Sequence, residues 1–469
     1  MIPKRRSEHG QVLVIVAFGM FALLGMAALA IDGGNAYSDR RHAQNAADTA
    51  ALAAGLTFVR NPDQWSVAHD AGMTRASDNG YDNNGTTNEV AVYRCNEAGT
   101  TCHLPSPLPP LPSGDPDLSA YYIQASITSH VPTYLARVLG VTQVTNAVQA
   151  VVHSVPPRLQ ERYNGAALVA LQPGCKNPPS VPDDPFTLGG TGDIVVNASG
   201  VFVNSNCNNA FTSSNNTTLT TPDAITCVVG TVNANGVVEP PAQPNCSGAV
   251  DPQAFKAPPV DLTSCTTPPA PGAGTITDLG VLPGDTRHTY LATPGYYDST
   301  FPPNLSGTLR LGTGIYCLKN GISVNSTLDL TTDLGDGGAF DGSDTALEGV
   351  LLYVPTGSVT FNGSSHVTIG AMNNVSISPS LRGYLLYVPP TNNSPVKIAG
   401  SNGSQFVGTI LAPASLITME GGSNTDSLSL ECQIIGFSIK LTGNGLLDIT
   451  YHGGQVGKAY TNPILELYR

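Results

Sequence analysis

GVLLYVPTGSVTFNGSSHVTI (Gly349–Ile369) has the form that decides the fold of most of this chain: a glycine, an apolar run closed by a proline, a polar turn, then an alternating strand. The plan recurs in GIYCLKNGISVNSTLDL (Gly314–Leu330), GYLLYVPPTNNSPVKIAGSN (Gly383–Asn402) and GTILAPASLITMEGGSN (Gly408–Asn424), whose starts lie 35, 34 and 25 residues apart. A unit this short cannot bury both faces alone, so units stack. The simplest consequence is a right-handed parallel β-solenoid. The turns Asn362-Gly363, Asn402-Gly403 and Asn444-Gly445 would supply the positive-φ positions that tight corners need. An antiparallel β-sandwich is the alternative, since it uses the same turns for hairpins, but the repeat exceeds a hairpin's length.

The composition agrees with a mostly β chain. Of 469 residues, 41% are hydrophobic and only 12% are charged, about half the usual share of charge. With 50 glycines, 37 prolines and one tryptophan, coiled coils and long bundles are excluded as the main architecture. A formal charge of −13 leaves too few Lys and Arg for the cationic surface that phosphate backbones require, so nucleic acid is not an expected partner. The nine cysteines lack the CxxC pairs of a structural zinc site. In an oxidising compartment, Cys95 with Cys102 and Cys175 with Cys207 are candidate local disulfides, and Cys432 is the expected free thiol; buried free cysteines are the alternative.

At the other end, Val12–Ile31 is an uncharged apolar run of 20 residues preceded by Lys4, Arg5 and Arg6 and followed by Asp32. At 1.5 Å per residue it spans about 30 Å, one bilayer core. Val12, Leu13, Val16, Phe18, Leu23, Leu24 and Ile31 are its anchoring side chains, and the lipid bilayer is the first expected partner. The basic N-terminal flank predicts a cytoplasmic N-terminus and an exported remainder, although Arg40 and Arg41 run against that bias. The run is longer than a signal-peptide core and Ala28 with Ala30 makes a poor cleavage site, which favours retention as an anchor. A prepilin-type cut after Gly10 would want a Glu where Ile15 stands.

The stretch SEHGQVLVIVAFGMFALLGMAALAIDGGNAYSDRRHAQNAADTAALAAG (Ser7–Gly55) closely resembles the N-terminal segment of TadE/TadG-like proteins of the Flp pilus, or tight adherence, system. The residues that carry the resemblance are Glu8, Gly10 and Gln11 before the span, Asp32 and Gly34 after it, and Tyr37, Arg41, Gln44, Asn45 and Asp48. It implies a bacterial membrane-anchored, pilin-like protein whose partners are pilus or secretion-machinery proteins, with Asp32 to Asp48 making assembly contacts and surface glycans a further candidate. Independently, the Ala-rich, Pro-free stretch Asn35–Phe58 predicts that the membrane helix continues outward. Its stripe Ala43, Ala46, Ala47, Ala50 and Ala54 would pack either on the protein's own sheet or against another helix.

Beyond the helix, Val67–Ser77 reads as a second helix, and Glu89–Arg94, Tyr121–Ser129 and Val141–Val152 read as strands, with a short helical turn over Tyr134–Leu139. That is an α+β arrangement similar to a pilin-type head. Pro156-Pro157 and the charged residues after them mark a boundary. The expected organisation is therefore a cytoplasmic tail (1–11), a transmembrane helix (12–31), a pilin-like α+β domain (32–157), a β-rich, Pro-rich connecting region with cysteines (158–275) and the repeat-containing β-solenoid (276–469).

No HExxH, GxSxG, Walker A or GxGxxG pattern occurs, so no enzyme is expected. The alternative is a membrane-tethered solenoid polysaccharide lyase or glycoside hydrolase, which needs paired carboxylates or Ca²⁺ with a base on one face. Arg310, Lys319, Asp329, Lys397, Glu420 and Lys440 are the few candidates. No cofactor is expected. Asp333, Asp336, Asp341 and Asp344, set among glycines, form a weak Ca²⁺ candidate whose spacing matches no EF-hand. The anchor itself is testable. Replacing Leu13, Val16 and Leu23 by Lys places charges at membrane depth at about 2.5 to 3.5 kcal/mol each, so the variant should leave the membrane fraction; continued sedimentation with membranes would refute the span.

Overall fold

A computed structural model describes residues 9–98, 100–102, 104, 118–174, 184–246, 272–282, 286–332, 349–372, 381–399, 403–421, 428–443 and 445–468. The chain forms two units: residues 1–158 with 461–469, and residues 159–460. The second unit is thus an insertion within the first.

In the first unit, helix α1 (His9–Arg60) runs unbroken for 52 residues. Its apolar first part is exposed, while Ala43, Ala46, Ala47, Ala50, Ala51 and Ala54 are buried. Helix α2 (Trp65–Asp78) packs against it, and the fit is close because both sides are small: a Cβ on Gly72 would stand 3.1 Å from the Ala54 Cβ. The strands β1 (Asn88–Arg94), β2 (Tyr122–Pro132) and β3 (Gln143–Val155) and the C-terminal strand Ile464–Tyr468 form an antiparallel sheet in that order. Ala-rich α1 lies on it, and the Ser154 hydroxyl donates to the Gly55 carbonyl at 2.8 Å. His153 stacks on Tyr122, with ring centroids 4.5 Å apart, and meets Tyr468 edge-on, which ties the C-terminal strand to β3. Cys95 and Cys102, just past β1, are joined by a disulfide with a Cα separation of 5.5 Å.

The second unit is a 24-stranded sheet whose strands pair parallel in three continuous ladders. One ladder joins ten strands, from His288–Ala292 through Gly307–Leu311, Leu328–Thr331, Val367–Gly370 and the starts of Gln405–Gly421 and Leu428–Gly443 to Leu447–Thr450, Asp193–Asn197, Thr218–Thr220 and Val237–Glu239. Among the described strands of this sheet, only Ile276–Val281, at its edge, pairs antiparallel. Like residues stack rung upon rung inside: Ile322, Val359, Val396, Ile417, Ile439, Phe186 and Phe211 are in register and buried.

The apolar runs such as Leu351-Leu352-Tyr353 arise because another ladder is covered on both sides, and strands buried twice cannot alternate. Tyr316, Leu352, Leu386, Ile410 and Ile434 face the main core, whereas Cys317, Tyr353, Tyr387, Leu411 and Ile435 build a second buried cluster. The glycine that opens each unit is required by close approach: at Gly349, φ is +155° and a Cβ would stand 2.4 Å from the Ala371 carbonyl oxygen.

Three features differ from the sequence-based division. Residues 168–239, assigned to a connecting region, continue the same ladders: Leu168–Ala170 pairs with the middle of Leu428–Gly443, and Phe186–Leu188 with its end. The first and last strands of the unit's repeat therefore meet in mid-ladder, with Val237–Glu239 and Ile276–Val281 at opposite ends. Second, Ile464–Tyr468 belongs to the first unit rather than to the repeat region. Both pairings join residues far apart in sequence, which no local pattern encodes. Third, Gly403 adopts the expected positive φ of +81°, whereas Gly363 does not; there Asn362 closes the turn with its side chain, accepting from the Ser364 N–H at 3.2 Å.

The two sides of one strand give the test. Phe361 is fully buried against Phe406, and its neighbour Thr360 points outward. Phe361→Ala should cost about 3 to 5 kcal/mol and Thr360→Ala less than about 0.5 kcal/mol, read from denaturant unfolding of the full chain.

Candidate functional site

The segment of α1 just beyond the apolar run is where sequence motif and geometry coincide. Its residues divide by face. On the inward side, the buried Asp32 carboxylate accepts three backbone hydrogen bonds from the turn between β2 and β3: Tyr134 N–H at 2.8 Å, Leu135 N–H at 3.0 Å and Ala136 N–H at 2.6 Å. These donors favour the ionised form, the Ala136 bond most, and hold the carboxyl below the usual carboxylate range. Two turns on, Asp39 accepts from Asn146 Nδ2 at 2.7 Å, from the Ser129 hydroxyl and from the Tyr81 hydroxyl at 3.2 Å. Asn146 Nδ2 also donates to the Ala36 carbonyl at 2.9 Å. Burial first, and the Asp39 charge second, push the Tyr81 phenol above its ordinary pKa. Further out, Gln44 Nε2 donates to Asp48 Oδ1 at 2.8 Å and to the Gln149 carbonyl at 3.0 Å.

The outward side is different. Gly34, Tyr37, Arg41 and Asn45 follow at steps of three and four residues, so they share one helix face, a face that one step further along, at the buried Asp48, is taken up by the fold. All four are exposed, Tyr37 by 64%. Space around Gly34 is open. Among the described residues, Tyr37, Arg41 and Asn45 make no hydrogen bond or ion pair. The Ala stripe proposed for either role is buried inside this unit, on its own sheet and α2. Asp39, Ser129 and Asn146 are not legible in the sequence as a group. The one available signal is the seven-residue step from Asp32 to Asp39, which places both on one face two turns apart.

Of the remaining sequence candidates, Glu8 lies outside the described residues, as do Cys175 and the Ca²⁺ candidates Asp333, Asp336, Asp341 and Asp344. Gly10 and Gln11 lie within α1. The anchoring residues Val12, Leu13, Val16, Phe18, Leu23, Leu24 and Ile31 are all strongly exposed, on a helix long and apolar enough to cross a membrane. Cys207 and Cys317 are disulfide-bonded, Cys227 pairs with Cys246, and Cys432 is free and buried. Among the described residues no group of three or more His, Cys, Asp or Glu is placed to hold a metal. The charged candidates of the repeat region separate onto different ladders: Asp329 and Arg310 on one, Lys397, Glu420 and Lys440 on another. Several are held in ion pairs: Lys397 with Glu420 at 2.8 Å, Lys319 with Asp298 at 2.7 Å, and Asp329 with Arg287.

The face-divided segment falls inside a region that matches a known family. Residues 10–57 match the Tad family, described as "Putative Flp pilus-assembly TadE/G-like". The N-terminal segment is thus similar to the TadE/G-like segment. No curated protein and no solved structure matches the chain.

The inward and outward faces respond differently to mutation. Asp39→Ala orphans buried donors and should destabilise the unit by about 1 to 3 kcal/mol, whereas Tyr37→Ala should change stability by less than about 0.5 kcal/mol. Because its folded pKa is depressed, Asp32 contributes stability that is complete above the unfolded value of about 3.9 and is lost as pH falls through the folded value. Melting temperature against pH should accordingly show a shallower acid limb in Asp32→Asn than in the unmodified protein.

Proposed function

We propose that this is a membrane-anchored, exported surface protein of the TadG-like kind, acting in Flp-type pilus assembly or anchoring and in adhesion. The observation that carries the reading is the division of the Tad-matched segment. Asp32, Gln44 and Asp48 are consumed by the fold, while Gly34, Tyr37, Arg41 and Asn45 lie exposed on one face. Residues of a family segment that support nothing within their own unit are placed to meet a partner, here another protein of the pilus or secretion machinery. The anchor spans the bilayer once with its N-terminus in the cytoplasm, consistent with the basic flank. Disulfides at Cys95–Cys102 and Cys227–Cys246 support an extracytoplasmic location for the chain beyond the span.

The inserted unit, on this reading, is a right-handed parallel β-solenoid, supported by its three parallel ladders against the antiparallel sandwich. Ten strands at about 4.8 Å give it a length of roughly 43 Å, suited to a spacer or to presenting an adhesive face. Its outward row Thr360, Lys397, Thr418, Lys440, Thr187 and Thr212 is polar and in register, a surface of the kind a glycan would contact. A non-enzymatic role is favoured over the lyase or hydrolase alternative because the candidate charges are dispersed over different ladders and several of them are held in ion pairs. No cofactor is assigned.

Exchanging the outward pair separates assembly from folding. Tyr37→Ala with Arg41→Glu should reduce surface pili several-fold, counted by electron microscopy, at unchanged protein level and melting temperature; normal piliation would overturn the assembly reading.

A further inference from the structure

The turn that caps Asp32 carries side chains the fold does not use. Between β2 and β3 the tip is held rigid: Thr133 N–H donates to the Thr142 carbonyl at 3.1 Å, Val141 N–H to the Ala136 carbonyl at 3.2 Å, and Gly140 turns the chain at φ +89°. Yet Tyr134, Val138 and Val141 are exposed by 68%, 86% and 47%. Arg137, beside them, is exposed and makes no ion pair among the described residues.

Position along α1 tells what these groups meet. Asp32 is the first charge after the apolar run, one residue beyond Ile31, and its carboxylate grips the tip through three N–H groups. A carboxylate at the edge of hydrocarbon is costly unless its oxygens are satisfied, and the tip satisfies them. The same bonds fix the tip at the level where the exposed apolar surface of Leu29 and Ile31 ends, so Tyr134, Val138 and Val141 extend that surface sideways. Tyrosine favours this boundary, where its ring is apolar and its hydroxyl wet, and Tyr134 stands there. Arg137 can meet lipid phosphates.

We infer that the β2–β3 tip is a membrane-interface wedge, with Tyr134, Val138 and Val141 seated in the outer headgroup and upper acyl region of the bilayer beside the anchor helix. The inference rests on the anchor reading. Its consequence is a fixed tilt and height for the first unit: two points of lipid contact, the helix and the wedge, replace the free rotation of a single stalk.

The test uses the full chain in vesicles of phosphatidylethanolamine and phosphatidylglycerol carrying lipids brominated near the top of the acyl chain. In a Trp65→Phe background, three reporters are compared: Val138→Trp in the wedge, Leu23→Trp in the span and Ile225→Trp in the second unit. Val138→Trp should lose emission several-fold on bromination, Leu23→Trp should also be quenched, and Ile225→Trp should not. Quenching at Leu23→Trp without quenching at Val138→Trp overturns the wedge and leaves the anchor standing; no quenching at either overturns the anchor. Blue-shifted Val138→Trp emission that bromine does not quench places the tip against another protein and likewise overturns the wedge. Should Trp65→Phe fail to fold, the same comparison is made as a difference spectrum with Trp65 retained, since its contribution is common to all three variants.

Discussion

One continuous helix carries first an exposed apolar run and then a packed, alanine-rich stretch, and the carboxylate of Asp32 sits where the two meet. N-terminal to it, the uncharged run Val12–Ile31 is exposed almost throughout; C-terminal to it, the helix is narrowed largely to alanine on the faces that pack on sheet and α2. Three backbone N–H groups close on that carboxylate and two turns later a second cluster closes on Asp39. Besides these polar locks the helix meets the sheet and α2 largely through alanine, which fixes spacing well but direction poorly, with Phe58 buried further along. The locks set which face of the helix is consumed by the fold and, by exclusion, which face stays exposed.

The inserted unit answers a different constraint. Its strands are often only three residues long and individually marginal, so stability has to come from stacking like on like through many rungs. Such a stack is indifferent to chain order. Leu168–Ala170 pairs parallel with Leu428–Gly443 although it precedes it by more than 250 residues in sequence. Chain entry and exit lie together as a result, and Leu159–Glu161 pairs antiparallel with Lys458–Tyr460. An insertion that begins and ends at one point can be accommodated by the host sheet, whose last strand is then supplied from the far terminus.

How much of this is legible in the sequence depends on where each signal resides. The apolar run and the glycine-headed repeats are local patterns, and both elements appear where the residues indicate. The Tad resemblance is likewise contiguous, and the family match covers nearly the same residues. What escapes is non-local: residues 168–239 read as β-rich, but nothing in them says that they continue the ladders of the repeat, and nothing in Ile464–Tyr468 announces β3 as its neighbour. The motif groups Asp32, Tyr37, Arg41 and Asp48 together, but a run of residues does not say which point inward. Asp39 escapes because its role depends on Ser129 and Asn146, more than 80 residues away.

The central claim is that the matched segment is amphifacial, with one face holding its own unit and the other a partner. A photo-crosslinking residue placed singly at each position from 32 to 48, in cells assembling pili, tests it most directly. The account predicts a helical periodicity, with crosslinks to another protein at positions 34, 37, 41 and 45 and none at 32, 39, 43 or 46. Crosslinks of equal yield all round the helix, or none at the four outward positions, would contradict it.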